Sequence, residues 1–109
     1  MQDPLIITFR HLESSEAVEN QVRQRLTDLQ KLYPRIVACE VVIEAPQKRK
    51  VTGREFKVHL KLSIPGPDIN VTGEASRGEA AEDVNVAVRE AFEAAERILV
   101  ERKEKLARH

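Results

Sequence analysis

The chain has 109 residues, the length of one typical domain, and 41% of them are hydrophobic, which excludes a disordered chain. Eighteen Lys and Arg residues balance eighteen Asp and Glu residues, so the formal net charge is zero and excludes a general electrostatic attraction to nucleic acid. The single cysteine, Cys39, excludes an intrachain disulfide, and no apolar run approaches the ~20 residues of a membrane span.

The first half of the chain predicts a strand, a helix and a second strand. Residues 5–9 are apolar and β-prone, and they predict the first strand. Ser14 and Ser15 offer an N-cap for a helix, and Pro34 ends that helix. The apolar positions recurring along one helix face are Val18, Val22, Leu26, Leu29 and Tyr33. Residues 36–45 then predict a second strand. Its apolar face would carry Val37, Cys39, Val41 and Ile43.

Two further strands follow a polar loop. Residues 56–64 alternate strictly between apolar and polar types, which predicts a third strand with one buried and one exposed face. Residues 65–68 carry two prolines and a glycine and predict a tight turn. Residues 69–72 predict a fourth strand, with Ile69 and Val71 facing inward.

A loop over residues 73–78 and a long helix over residues 79–106 complete the predicted elements. The apolar stripe of this helix is Val84, Val88, Ala91, Phe92, Ala95, Leu99 and Leu106, with Arg102 interrupting it near the end. Such a helix is ~40 Å long, whereas a strand of nine or ten residues covers only ~30 Å. We therefore expect its C-terminal part to extend beyond the core.

These elements predict an α+β two-layer sandwich in the order β-α-β-β-β-α, as one domain over residues 1–109. A four-stranded mixed sheet would carry both helices on one face. The right-handed crossover makes the first two strands parallel, and short connections make the other neighbours antiparallel. The exposed face of the sheet would carry Thr8, Glu40, Glu44, Lys57, His59 and Lys61.

The sequence contains no pattern typical of a catalytic or metal site. His11, His59 and His109 lack metal-ligand spacing, and the four glycines form no phosphate-binding motif. Cys39 lies on an apolar strand face, which favours a buried thiol over a nucleophile. The acidic pair at 82–83 favours stabilisation of the helix dipole over acid–base catalysis. We therefore predict no enzyme activity, cofactor, metal or small-molecule substrate. Because no secretory signal is visible, we expect a cytoplasmic protein.

The distribution of charge is more informative than its sum. Basic residues form three groups: Arg23, Arg25, Lys31 and Arg35; Lys48, Arg49, Lys50 and Arg54; and Arg97, Arg102, Lys103, Lys105 and Arg108. Basic residues stabilise the C-terminal end of a helix dipole, and pairs such as Glu101 with Lys105 stabilise a helix. These two effects explain only part of the third group and neither of the other two. Basic patches that contact phosphates bind with salt-sensitive affinity. Because aromatic residues are few, recognition of folded RNA by shape and backbone fits better than stacking on single strands.

Several segments carry a resemblance to a known family. They are residues 5–8, 15–18, 41–44, 82–88 and 103–106. The most specific is 82–88, which leads into a helix ending in lysines and arginines. It departs from the usual pattern at Asn85, where a tyrosine is common. With these segments the chain resembles the ribosome hibernation-promoting factors, also called ribosome-associated translation inhibitors.

The resemblance implies a fold similar to double-stranded-RNA-binding domains and a role in translation regulation under stress. Such proteins bind the small ribosomal subunit in the channel for messenger and transfer RNA and keep idle ribosomes inactive. The chain would be a short form, or the N-terminal domain of a longer form, with no membrane partner. Basic residues of both helices would face ribosomal RNA: Arg23, Lys31, Arg97, Arg102, Lys103 and Lys105. Charge alone adds Arg25, Lys48, Arg49, Lys50, Arg54 and Arg108 to this set.

One alternative belongs to a different class of function. The acidic start of the last helix and the exposed sheet face could bind another protein, and the basic tail would then be only a solvated helix end. The net charge of zero favours this interpretation. RNA binding and protein binding therefore both stay open at the level of the sequence.

Overall fold

The computed structural model describes residues 5–45, 56–74 and 84–107. Its elements are β1 (Leu5–Arg10), α1 (Glu16–Leu32), β2 (Ala38–Glu44), β3 (Lys57–Ser63), β4 (Ile69–Glu74) and α2 (Val84–Ala107). The predicted order β-α-β-β-β-α is confirmed. The predicted beginning of the last helix, including Glu82 and Asp83, lies outside the described residues, as does the side chain of Leu106.

The strands form one mixed sheet in the order β1-β2-β3-β4. β1 pairs with β2 in parallel, and the other two neighbouring pairs are antiparallel, as predicted. α2 runs against β4, because Gly73 at the end of β4 lies beside Ala91 and Arg102 reaches Pro67, just before β4. α1 also ends near the β3–β4 turn. The Leu32 carbonyl at its end accepts a hydrogen bond from Lys103, which is the residue next to Arg102. The two helices therefore run in the same direction.

Both helices pack on one face of the sheet and share one core. This core includes Val22 and Leu26 of α1, Val41 and Leu60 of the sheet, and Leu99 of α2. The opposite face is solvated, as predicted: Glu40, Lys57, His59 and Lys61 are exposed, and Thr8 and Glu44 are half-buried. The two-layer α+β sandwich is thus confirmed.

The ends of α1 follow from its local sequence. The Ser15 backbone is extended, and its hydroxyl accepts a hydrogen bond from the Val18 amide at 3.3 Å, which confirms the predicted N-cap. Glu16 and Glu19 lie in the first turn, where the helix dipole stabilises acidic groups. At the other end the Tyr33 amide donates to the Leu29 carbonyl at 2.8 Å, directly before proline.

The prediction for Val37 is wrong. β2 begins at Ala38, and the Val37 side chain is 66% exposed. The chain turns between α1 and β2, and the Ile36 amide donates to the Tyr33 carbonyl at 3.4 Å. Ile36 is buried instead. Strand alternation does not extend into this turn, so Val37 cannot share the buried face of Cys39.

The prediction that residue 73 begins a loop is also wrong, because β4 continues through Gly73 to Glu74. Gly73 is buried beneath α2. A Cβ atom there would lie 2.5 Å from the Ala87 carbonyl oxygen and closer still to the Ala91 amide nitrogen. Ala87, Ala91 and Ala95 are fully buried. Small residues on both elements therefore let α2 lie close to β4.

The C-terminal part of α2 extends beyond the core, as predicted. α2 has 24 residues and is therefore ~36 Å long, whereas the seven residues of β3 span ~23 Å. Leu99 is the last fully buried side chain among those described in α2, and the side chains of residues 100–105 are half-buried or exposed. Among the described residues, no helix is long and apolar enough to cross a membrane.

Candidate nucleic-acid interface

The extended end of α2 is attached to the domain by two basic side chains. Arg102 Nη1 donates to the Pro67 carbonyl in the β3–β4 turn at 2.7 Å. Lys103 Nζ donates to the Leu32 carbonyl at the C-terminal end of α1 at 2.9 Å. Helix C-termini present carbonyl groups without intrahelical partners and a partial negative charge, which a cation stabilises.

These two bonds use only part of the hydrogen-bonding capacity of the two side chains. An arginine has five N–H donors and a lysine has three, and each side chain here uses one donor in its bond to a carbonyl oxygen. Arg102 is half-buried and Lys103 is exposed. The intramolecular bonds thus hold two cations in place, one half-buried and one exposed.

Other basic residues lie at the same end of the molecule. Lys31 and Arg35 flank the end of α1, and Lys105 lies in the last turn of α2. All three are exposed. We call this surface the basic end and define it as Lys31, Arg35, Arg102, Lys103 and Lys105. It brings together four of the residues predicted to contact ribosomal RNA, and Arg35 joins them.

Four acidic side chains lie close to the basic end in sequence or through the β3–β4 turn, and one of them, Asp28, is exposed on α1 three residues before Lys31. Asp68 follows Pro67, and its carboxylate pairs with Lys61 Nζ at 3.8 Å. Glu101 and Glu104 lie on α2 and are exposed. The five cations therefore exceed the acids, although the domain as a whole is neutral.

The remaining described candidates do not join the basic end. Arg23 is exposed on α1, eight residues before Lys31, which is ~12 Å along the helix axis. Arg97 is exposed on α2, ahead of the extended end. Arg25 is half-buried in a groove between the helices, where Asp28 and Glu96 also lie. Its surroundings make Arg25 the least suited of the set to contact phosphate.

The other predicted contacts lie outside the described residues. They are Lys48, Arg49, Lys50, Arg54 and Arg108. The first four of these residues lie between Ala45 and Phe56. Ala45 directly follows Glu44 of β2, Phe56 directly precedes Lys57 of β3, and Glu44 and Lys57 lie opposite each other in the sheet. This pair lies at the end of the sheet opposite the β3–β4 turn. The chain therefore leaves and re-enters the sheet far from the basic end.

The exposed face of the sheet compensates its own charges. Glu40 lies opposite Lys61 in the register of β2 and β3, and Glu44 lies opposite Lys57. His59 lies between these pairs, with Nδ1 3.1 Å from Thr72 Oγ1 and Nε2 3.6 Å from Glu44 Oε1. Opposite charges on neighbouring strands stabilise the sheet but leave little positive potential for phosphate.

The predicted buried thiol is confirmed. Cys39 is 2% exposed, and burial, with a smaller contribution from the Glu40 charge, raises its pKa from 9.0 to about 12. A protonated, inaccessible thiol is not a nucleophile. Within residues 5–45, 56–74 and 84–107, no group of three His, Cys, Asp or Glu side chains could hold a metal ion.

The roles of Arg102 and Lys103 within the fold were missed by the sequence prediction. The signal for one of them was present, because Arg102 interrupts the apolar stripe of the last helix. A charged residue at a core-facing position needs a polar partner, and the Pro67 carbonyl provides it. No comparable signal marks Lys103.

The fold and the basic end define a small α+β domain whose described residues carry a basic surface at one end. The model of the family described as sigma 54 modulation protein / S30EA ribosomal protein matches residues 5–107, and the chain belongs to this family. The family predicted from the sequence is thereby confirmed.

Two solved structures share the fold. One is a ribosomal subunit interface protein from Coxiella burnetii, with a TM-score of 0.73 and 18% identity, covering 92% of this chain and 97% of that one. The other is the N-terminal domain of Protein Y from Thermus thermophilus, with a TM-score of 0.67 and 21% identity, covering 91% and 96%. No curated protein matches the chain. At these identities the similarity establishes the fold.

Proposed function

We propose that this protein binds the small ribosomal subunit, contacts its ribosomal RNA through the basic end and keeps idle ribosomes inactive. The observation that carries the proposal is the family match over residues 5–107. The Coxiella burnetii protein of the same fold is itself described as a ribosomal subunit interface protein. The proposed action is in the cytoplasm and involves no catalytic step.

The basic end supplies the physical basis for RNA binding. Four of its cations lie on the two helices and Arg35 follows α1, so that all five are concentrated at one end of a neutral domain and can contact several phosphates at once. Arg102 and Lys103 are held by backbone carbonyls, which reduces the side-chain entropy lost on binding. Few aromatic side chains are exposed, and this favours contact with the backbone of folded RNA.

Sedimentation with purified small subunits at increasing salt tests this function. We expect co-sedimentation at low salt that weakens steeply as salt rises. The variant Lys31→Gln/Lys105→Gln removes two exposed cations of the basic end without touching the Arg102 and Lys103 bonds. Its salt slope should fall by up to about two, since each lost phosphate contact removes ~0.7–0.9.

The matched control is Lys57→Gln/Lys61→Gln, which removes two cations from the exposed sheet face. This variant should retain the salt slope of the unchanged protein. Absence of co-sedimentation at low salt would contradict ribosome binding. An equal loss in both double variants would contradict the assignment to the basic end.

We further propose that the binding site lies in the channel for messenger and transfer RNA. Small subunits loaded with the protein should then bind labelled initiator transfer RNA less well than free subunits. The double variant of the basic end should restore that binding. Unchanged transfer RNA binding on fully loaded subunits would place the protein elsewhere on the subunit.

A protein-interaction module is the second candidate, favoured by the exposed sheet face. That face is charge-compensated, and Ile6 on it is 59% exposed. Association through this face would survive nuclease treatment of a lysate, whereas association through RNA would not. Replacing Ile6 by Ser would weaken association through the sheet face and leave association through RNA unchanged.

A further inference from the structure

The tip of the β3–β4 turn is apolar, although it lies beside the basic end. Residues 64–67 carry no charged or polar side chain, and Pro65, Gly66 and Pro67 are exposed. Arg102 donates to the Pro67 carbonyl, so one cation of the basic end lies directly against this turn. An exposed apolar segment next to cations offers a ligand a second kind of contact.

Val37 extends this apolar surface. Its amide donates to the Ser63 carbonyl at 2.8 Å, two residues before Pro65, and its side chain is 66% exposed. Among the described residues, the exposed large hydrophobic side chains are those of Val37 and Ile6. We call the surface formed by Val37, Pro65 and Pro67 the apolar tip.

The β3–β4 turn is held in one conformation. Its two prolines have fixed φ angles, and Gly66, with a φ of 90°, has the backbone that a type II turn requires after proline. Arg102 holds Pro67, and the carboxylate of Asp68 lies 3.8 Å from Lys61 Nζ, which offsets its charge. A rigid surface loses little conformational entropy when a ligand packs on it.

The charges beside the apolar tip indicate which ligand fits it. Arg35 precedes Val37 by two residues, and Arg102 is bonded to Pro67. An apolar protein surface packed here would desolvate these cations without supplying opposite charges. An RNA helix supplies them, because phosphates border the ribose rings of its wide, shallow minor groove.

We propose that the apolar tip packs on ribose rings in the minor groove of a ribosomal RNA helix whose phosphates the basic end contacts. This inference rests on the proposed function and deepens it. The basic end provides the salt-sensitive part of the affinity, and the apolar tip adds a part that salt does not screen. Aliphatic side chains follow the shape of the groove, so the ligand is a helix and not an unpaired strand.

Sedimentation with purified small subunits over a range of salt concentrations separates the two parts of the affinity. Val37→Ser removes apolar surface at constant charge, so it should lower affinity about fivefold at every salt concentration and leave the salt slope unchanged. Ile6→Ser is the matched control, because Ile6 is 59% exposed on the sheet face, and it should keep full affinity. Unchanged affinity of Val37→Ser, or an equal loss in both variants, would overturn the proposal.

A cleavage reagent attached to the apolar tip identifies what the tip touches. Val37→Cys provides a thiol for an iron chelate that generates hydroxyl radicals, since Cys39 is buried and does not react. On saturated small subunits this iron should cleave both strands of one ribosomal RNA helix. Iron at Ile6→Cys should leave that helix intact. Cleavage of ribosomal protein alone, or of unpaired nucleotides alone, would contradict the proposed contact.

Failure of the apolar contact is distinguishable from failure of the proposed function. If the unchanged protein does not sediment with small subunits, the proposed function fails and this inference fails with it. If it sediments and either test of Val37 gives the contrary result, only the apolar contact is refuted. Far-ultraviolet circular dichroism of each variant confirms that it is folded.

Discussion

The two parts of α2 are attached to the domain in different ways. From Val84 to Leu99 the helix is held by apolar packing, with buried alanines lying directly over Gly73. Beyond Leu99 it is held by hydrogen bonds from Arg102 and Lys103 to backbone carbonyls. Apolar packing places no cation at the basic end, whereas the polar attachment holds two cations there. One helix therefore combines a structural segment with a binding segment.

Leu99→Ala should produce the largest change, because Leu99 is fully buried at the boundary between the two parts. Truncation of such a side chain costs about 2–5 kcal/mol of the free energy of unfolding. Urea denaturation measures this loss. Val100→Ala, one residue further on and half-buried, is the control and should cost less than about 1 kcal/mol. Similar losses of unfolding free energy in both variants would contradict a boundary at Leu99 between the two parts of α2.

Gly73→Ala should follow in size, because the added methyl group meets the backbone of α2. Overpacking of this kind costs about 1–3 kcal/mol. Gly66→Ala is the matched control: Gly66 has a φ of 90° and nothing within 4 Å of an added Cβ, so only conformational strain of about 1 kcal/mol applies. If Gly73→Ala proved the milder change, close packing of α2 on β4 would be refuted.

Alkaline pH should lower the free energy of unfolding, because the thiol of Cys39 is buried in the core. The thiol ionises near its ordinary pKa of 9.0 in the unfolded chain but only at about 12 in the folded one. The folded state therefore binds more protons between these values, and stability falls as pH rises, by about 1.4 kcal/mol per pH unit. The free energies of unfolding of the unchanged protein and of Cys39→Ala are measured at pH 8 and at pH 10. The difference between the two proteins should be smaller at pH 10. A constant difference would contradict the raised pKa.

Replacing the polar attachment should have the smallest effect on stability. Arg102→Met removes the hydrogen bond to Pro67 while keeping an apolar stem, and it should cost about 0.5–1.5 kcal/mol. Lys103→Met should cost less, because that side chain is exposed. Both variants should nevertheless lose affinity for small subunits and show a reduced salt slope. A large loss of stability with unchanged binding would reverse the roles assigned to the two parts of α2.

The sequence predicted those features that depend on neighbouring residues. The alternation in β3, the helical spacing in α1 and the Ser15 cap are local patterns, and the structure confirms each of them. Val37 was misplaced because the turn after α1 breaks the alternation. Gly73 was misplaced because its role depends on the backbone of α2, which the chain supplies only at Ala87 and Ala91.

The candidate site was less predictable than the fold. The carbonyl partners of Arg102 and Lys103 lie 35 and 71 residues away in sequence, so only tertiary structure reveals them. Arg25 was grouped with Arg23 and Lys31 by charge, but the spacing of α1 residues gives no indication of the facing carboxylates on α2. Charge counted along a chain does not show which acids fold against which bases.

The strands of the sheet follow one another in the same order as in the chain. During synthesis each strand can therefore join the edge left by the previous one, and none has to be inserted between two others. α2 emerges last and packs against β3 and β4. Until then Val58, Leu60 and Leu62, which are fully buried in the finished domain, lack part of their cover. A chain released before this helix is complete would expose that surface and become a target for chaperones and aggregation.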